Sequence, residues 1–291
     1  MTRAESPGDS RPKAHRKFTH THTLLLISFL SVCTTLGRAV GATGPHGTVD
    51  LIAEQTTIQP GRPFAAGLHF QLEPGWHIYW INAGDSGEPP RVKWSLPEGF
   101  RAGPLQWPLP RRIEDHSLID YGYQDQVLLP VEIMPPAGLA AGPDVQVNAA
   151  VSWLVCRDIC VPGHANFVLT LPLRQGAPAK SSAAAPLFAR ARADLPRPAP
   201  RSWKVAATLD KLRFVLNVDT GKKETGASFF PLNPNEIENA APQKVSVSSP
   251  GIDLELKRSD QMLKPPPRLQ GVLVFASGQG YTINAPVRAS R

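Results

Sequence analysis

Cys156 and Cys160 are the two residues whose type and spacing most directly predict chemistry. They lie in the stretch VSWLVCRDICVPGH (151–164) and are separated by only three residues. The third cysteine of the chain, Cys33, falls in an apolar leader described below. Two cysteines at this spacing could form a structural disulfide, exchange electrons as a redox pair, or bind a metal ion.

A disulfide between these cysteines requires a turn in the chain. Four positions along a straight strand span about 13 Å, whereas the Cα atoms of a disulfide lie roughly 4.4–6.8 Å apart. A hairpin loop of Arg157, Asp158 and Ile159 would make the two cysteines facing residues of adjacent strands. The bond would then lie near solvent and close a small loop, which gives only modest stabilisation. The residues themselves leave the structural and redox alternatives open.

The metal alternative rests on the spacing of Cys156, Cys160 and His164. Two thiolates and an imidazole suit Cu(I) or Zn(II), and His77 or His116 could approach in the folded chain. No fourth ligand is identifiable from the sequence. A copper- or zinc-binding protein therefore stays an alternative to a redox protein, which would need no cofactor.

The elements that must position these cysteines are short β-strands. Runs rich in Val, Ile, Leu and aromatic residues alternate with Pro and Gly over 46–174, which is typical of an antiparallel β-sandwich. An Ala- and Pro-rich linker follows at 175–201, with a short helix predicted at APLFARARADL. Alternating patterns such as IDLELKR then predict a second, smaller β-sandwich over 202–291. The expected fold class is all-β.

Residues 1–42 have the pattern of a secretory signal peptide. A basic segment precedes the apolar run TLLLISFLSVCTTL (23–36), and small residues end at Ala42. These residues contribute six of the 31 Lys and Arg and two of the 24 Asp and Glu, so the formal charge falls from +7 to +3 without them. Since the remaining charges are scattered, we expect no nucleic-acid partner. We expect the protein to be exported, and an even pair of cysteines in an exported protein is first interpreted as a disulfide.

Three motifs, taken in order, resemble the N-terminal periplasmic domain of the DsbD protein-disulfide reductases, and more closely the branch with the ScsB-type copper-tolerance proteins. They are PGWHIYWINAGDSGEPP (74–90), RRIEDHSLIDYGYQDQVLLPVEI (111–133) and VSWLVCRDICVPGHA (151–165). The resemblance is strong over 46–174 and looser over 175–291. It implies an immunoglobulin-like sandwich with Cys156 and Cys160 as the redox pair, and it places His77 and Tyr79 beside that pair.

The same resemblance implies a cap loop that covers the disulfide until a partner docks. EDHSLIDYGY matches that loop, which places Glu114, Asp115 and His116 in it. Counting back from Tyr123, His116 falls where the family carries an aromatic residue, and Tyr121 is the alternative aromatic. We expect this loop to gate access to the disulfide.

The family also implies the partners. Electrons come from a membrane partner and pass to thioredoxin-like periplasmic proteins. Full-length reductases continue into a multi-helix membrane domain and a thioredoxin-like domain, and residues 1–291 contain neither, so we expect a separate membrane-embedded thiol transporter. The best-known members have five residues between their cysteines, and the three found here predict a tighter turn.

We predict that protein exported by a Gram-negative host begins near Thr43 and has no lipid attached. The residue before Cys33 is Val32, whereas lipoprotein processing needs a small residue there. The intact mass of protein purified from the periplasm measures this. A diacylglyceryl mass on Cys33 would contradict the prediction.

Overall fold

The two longest strands of the protein form one antiparallel hairpin that ends at the two cysteines. The computed structural model describes residues 42–115, 117–140, 142–176, 180–248 and 250–290. In this hairpin the pairing runs without interruption from Val145 opposite Leu171 to Cys156 opposite Cys160. The sequence VQVNAAVSWLVC buries every second residue from Val145 to Val155, because successive side chains of a strand point to opposite faces.

The first part of the chain forms a sandwich of two sheets. Its strands are β1 (Ala42–Gly44), β2 (Gly47–Ala53), β3 (Phe64–Leu72), β4 (His77–Gly84), β5 (Arg91–Ser95), β6 (Arg101–Ala102), β7 (Arg111–Asp115), β8 (Leu118–Gln124), β9 (Gln126–Met134), β10 (Val145–Cys156) and β11 (Cys160–Leu171). One sheet has the order β1-β2-β3-β9-β6. The other has the order β11-β10-β4-β8-β7, with β5 also paired to β10. Side chains from both sheets form one hydrophobic core, which confirms the predicted immunoglobulin-like sandwich.

The predicted helix is present as α1 (Ala185–Ala193). Pro186 lies in its first turn, where the missing N–H of proline costs nothing. Phe188 and Ala191 are buried and pack against Leu128 of β9. The helix therefore lies on the first sandwich, and this part of the predicted linker is a packed element.

The remaining strands form the second β-domain. They are β12 (Arg197–Pro198), β13 (Lys204–Leu209), β14 (Arg213–Asp219), β15 (Ala227–Pro231), β16 (Lys244–Ser248), β17 (Gly251–Lys257), β18 (Arg268–Phe275) and β19 (Gly280–Ala289). Their order is β15-β18-β19-β13-β14-β17-β16, with β12 beside β19. Residues from β14 and β17 share one core with residues from β18 and β19, so the sheet folds over a common interior. The prediction of an all-β chain with a second, smaller sandwich is confirmed.

The second domain contacts the first through buried side chains. Phe230 packs edge-on against Trp80 and Tyr121, with ring centroids 6.4 and 5.2 Å away. Asn82 donates a hydrogen bond of 2.8 Å to the carbonyl of Pro231. The described residues belong to one compact unit, and the boundaries 46–174, 175–201 and 202–291 stay a prediction. The predicted signal peptide, 1–42, lies outside the described residues except for Ala42.

No helix among the described residues is long and apolar enough to span a bilayer.

Candidate functional site: a disulfide at a hairpin tip

The disulfide joins facing residues of β10 and β11, as the turn argument predicted. Cys156 and Cys160 are bonded and directly opposed, and Arg157, Asp158 and Ile159 form the turn between them. The two cysteines differ in burial. Cys156 is 2% exposed, whereas Cys160 is exposed. The difference follows from position, because β11 is an edge strand and β10 is covered at its end by β4.

His77 and Tyr79 lie beside the disulfide, where the resemblance placed them. His77 is the residue of β4 that pairs with Cys156. The hydroxyl oxygen of Tyr79 lies 3.5 Å from Sγ of Cys160, and the rings of His77 and Tyr79 meet edge-on at 5.1 Å. Both side chains are buried outside the hydrophobic core, which takes the alternate residues Ile78 and Trp80 of the same strand. The roles of His77 and Tyr79 stay a prediction.

Two further polar residues of this site, Ser86 and Asp120, were missed in the sequence. Asp120 is fully buried, and its Oδ2 lies 3.4 Å from Nε2 of His77. Ser86 Oγ lies 2.8 and 2.9 Å from the two carboxylate oxygens of Asp120, and the Ser86 N–H donates to Oδ1 at 3.0 Å. Ser86 Oγ is also 3.4 Å from the Tyr79 hydroxyl. Both residues occur in the family-like motifs, but 34 positions separate them and no periodicity predicts their contact.

Gly87 allows the loop after β4 to cover Tyr79. Its φ is +71°, a left-handed conformation that favours glycine. A Cβ atom at this position would collide with the ring of Tyr79. The sequence DSG at 85–87 therefore brings the Ser86 hydroxyl to Asp120 and closes the loop over the aromatic ring.

The predicted cap loop is largely a β-hairpin, formed by β7 and β8. Glu114 is exposed on β7 and pairs with Ile119. Asp115 ends that strand, and nothing further is described of its side chain. His116 lies outside the described residues, so its predicted covering role is untested. The segment is extended because β8 pairs with β4 on one side and β7 on the other.

The two tyrosines of this hairpin direct their hydroxyls elsewhere. Tyr121 donates a hydrogen bond of 2.9 Å to Oδ1 of Asn239, and Tyr123 donates one of 2.7 Å to the carbonyl of Pro108. Burial raises the pKa of both phenols, so both stay neutral at physiological pH. Their described polar contacts support the packing of the sandwich, and gating of the disulfide by 114–123 stays a prediction.

A stack of side chains flanks the hairpin tip. Trp76 lies against the ring of His46, with centroids 3.5 Å apart, and the guanidinium carbon of Arg157 lies 5.2 Å from the Trp76 ring. Arg157 also pairs with Asp158, at 2.9 Å between Nε and Oδ2. The exposed turn thus carries one positive and one negative charge that pair with each other.

The metal alternative receives no support from the geometry. His164 lies on β11 opposite Ser152, four positions along the same strand from Cys160, which is about 13 Å. Within the part of the chain that the structure describes, no three His, Cys, Asp or Glu side chains lie together in a way that could hold a metal ion.

Comparisons with known proteins agree with the resemblance. Residues 48–172 match the family model of the thiol:disulfide interchange protein DsbD, N-terminal domain, and that range contains the whole site. The fold is similar to the crystal structure of the N-terminal periplasmic domain of ScsB from Proteus mirabilis, with a TM-score of 0.65 and 17% identity over 86% of this chain and 97% of that chain. The periplasmic chaperone SfaE aligns with a TM-score of only 0.22 at 8% identity, which is too low to support a shared fold. No curated protein matches the sequence.

We predict that Gly87→Ala destabilises the protein more than Gly221→Ala. Both glycines have positive φ, but Gly221 has open space around it, so its substitution adds only backbone strain of about 1 kcal/mol. Gly87→Ala adds the collision with Tyr79, and we expect a further loss of about 1–3 kcal/mol. Urea unfolding of the two variants measures the difference. Equal losses would show that the loop does not pack on Tyr79.

Proposed function

We propose that this DsbD N-terminal-type protein is a periplasmic thiol–disulfide exchange protein. In this proposal the Cys156–Cys160 pair receives electrons from a separate membrane-embedded thiol transporter and passes them to thioredoxin-like periplasmic proteins. The observation that carries the proposal is a disulfide at a hairpin tip with one exposed cysteine and one buried cysteine. It lies within the residues that match the thiol:disulfide interchange family.

A purely structural role explains this disulfide poorly. The bond closes a loop with only three residues between the cysteines, so in the chain-entropy model its effect on stability is modest. The twelve-residue ladder between β10 and β11 already holds the two strands together. A bond that stabilises little, with one cysteine open to solvent, suits reversible exchange.

From their difference in burial we infer different parts for the two cysteines in the reaction. The thiolate of a reduced partner attacks Sγ of Cys160, because Cys160 is the exposed residue. The disulfide breaks, Cys156 leaves as a thiolate, and the partner is held in a mixed disulfide with Cys160. The partner's second thiolate then attacks the partner sulfur of that bond and releases Cys160. The partner is oxidised and both cysteines are reduced. The same steps in reverse reduce a client.

Periplasmic residence rests on two observations. Residues 1–42 have the pattern of a secretory signal peptide, and the solved structure with a similar fold is itself a periplasmic domain. In that compartment disulfides persist, so a protein that supplies electrons has oxidised substrates.

We predict that the disulfide of the folded protein equilibrates with glutathione at a potential above about −300 mV, the range of labile bonds. Mass spectrometry of alkylated samples, taken across a series of reduced-to-oxidised glutathione ratios, measures the reduced fraction. If the bond resists millimolar reduced glutathione in the folded state, the exchange function fails and the structural alternative is correct.

We also predict that the two single-cysteine variants differ in reactivity. In Cys156→Ser the remaining thiol is the exposed one, so it should react with the aromatic disulfide DTNB at least about tenfold faster than the buried thiol of Cys160→Ser, because access limits thiol exchange. Each variant is the control for the other, and in urea the two rates should converge. A folded Cys160→Ser protein that reacts as fast as Cys156→Ser would contradict the assigned order of attack.

A further inference from the structure

Release of Cys156 as a thiolate raises a physical difficulty. Its side chain is 2% exposed, and a charge formed without water or a proton donor is costly in the protein interior. The exposed Cys160 can draw on solvent when it is released. Cys156 therefore needs a group within the protein that supplies a proton or a hydrogen bond.

We propose that His77 and Asp120 form a buried proton-transfer pair that protonates Cys156 as it leaves the disulfide. The inference rests on the proposed exchange function and adds a catalytic residue, His77, and two positioning residues, Asp120 and Ser86. The resemblance places His77 near the cysteines but assigns it no proton.

The position of His77 suits this role. It is directly opposite Cys156 in the pairing of β4 with β10, and directly opposed residues of neighbouring strands project to the same face. His77 is as buried as Cys156, with each residue 2% exposed. An imidazole can give up a proton and take it back, which a leaving thiolate and a returning thiol require in turn.

Asp120 holds the imidazole in place. Its Oδ2 lies 3.4 Å from Nε2, an ion-pair distance, and Nε2 has no hydrogen bond to any described residue. The N–H and hydroxyl of Ser86 both reach the carboxylate. Since an ionised carboxylate only accepts hydrogen bonds, these donors suit the charged form of Asp120. One proton can thus be held between a buried carboxylate and the imidazole opposite Cys156.

Tyr79 extends the same network to the second sulfur. A disulfide sulfur has no hydrogen, so the phenol is the donor in the 3.5 Å contact with Cys160. Its oxygen is also 3.4 Å from Ser86 Oγ. Polar groups therefore run from Cys160 through Tyr79, Ser86 and Asp120 to His77.

Other charged groups near this network are engaged elsewhere. Asp85, next to Ser86, accepts hydrogen bonds from the N–H of Ile119 at 2.8 Å and from the amide of Asn239 at 2.9 Å. Arg157 and Asp158 pair with each other at the exposed turn. The residue of β8 that pairs with His77 is the uncharged Gln124. Among the described ion pairs, that of His77 is with Asp120.

The proton moves in the same step in which the disulfide breaks. The partner thiolate attacks Cys160 Sγ, the Cys160–Cys156 bond breaks, and its electron pair stays on Cys156 Sγ. The imidazolium of His77 gives its proton to that sulfur, so Cys156 becomes a neutral thiol and His77 a neutral imidazole beside the charged Asp120. In the reverse direction His77 takes the proton from Cys156 as its sulfur attacks the mixed disulfide.

The test is the pH dependence of reduction by dithiothreitol. Its second thiol rapidly displaces Cys160 from the mixed disulfide, so the release of Cys156 sets the rate. Rates for the mature chain are divided by the fraction of dithiothreitol thiolate at each pH. For the unmodified protein we expect the corrected rate to fall as the pH rises, because a general acid loses its proton with rising pH. In His77→Gln and Asp120→Asn the corrected rate of reduction at pH 6 should fall by about tenfold, and its pH dependence should be lost. A tenfold loss is below the usual range for a general acid because thiolates leave readily.

Asp85→Asn is the matched control, since it makes the same chemical change one residue from Ser86. It should keep the pH profile of the unmodified protein, and circular dichroism with tryptophan fluorescence checks the fold of every variant. If the His77 and Asp120 variants do not fold, the unmodified protein still provides a test, because reduction at pH 6 should be slower in D₂O than in H₂O after the same correction.

The outcomes separate this inference from the proposed function. A disulfide that dithiothreitol and glutathione cannot reduce in the folded protein overturns both. If the disulfide is reduced, three results overturn the proton-transfer pair and leave the exchange function standing. The variants match the pH profile of the unmodified protein, they lose rate uniformly at every pH, or the unmodified protein shows no isotope effect.

Discussion

The uninterrupted ladder between β10 and β11 is the constraint on which the site depends. Its twelve pairs bring Cys156 and Cys160 face to face at the far end, and they also place Trp153 and Val155 in the core. A slip of one residue would turn that hydrophobic face outward and move the cysteines out of opposition. The burial of apolar side chains along the hairpin therefore determines the geometry of the disulfide.

The second domain meets the same strands that form the site. Asn239 accepts a hydrogen bond from Tyr121 of β8 and donates one to Asp85, which directly precedes Ser86. Asn82 of β4 is held by the carbonyl of Pro231. The neighbours of Ser86 and Asp120 in the chain are thus fixed by contacts with residues more than a hundred positions away. The second domain contributes no cysteine or histidine, but it anchors the segments on which the polar network is built.

Local chemistry made the disulfide predictable, whereas long-range contacts made its surroundings unpredictable. A disulfide across three intervening residues requires a turn, and the alternation of β10 predicts a strand, so a hairpin is the expected geometry for a bonded pair. The positions of His77 and Tyr79 came from resemblance. The contact of Ser86 with Asp120 lies beside a shift in the register of β4 against β8, which no periodicity shows. The contacts of Tyr121 with Asn239 and of Tyr123 with Pro108 are equally long-range, and the covering role of 114–123 stays a prediction.

The hairpin tip and its polar surroundings are encoded at very different distances along the chain. The two cysteines and their turn lie within one local hairpin, but His77, Ser86 and Asp120 reach the disulfide only when β4 and β8 have joined the sheet. A chain in which β10 and β11 have paired, but β4 and β8 have not joined them, therefore has the disulfide without its polar surroundings. Only the completed sheet gives the disulfide the neighbours that distinguish it from the bond of a short peptide.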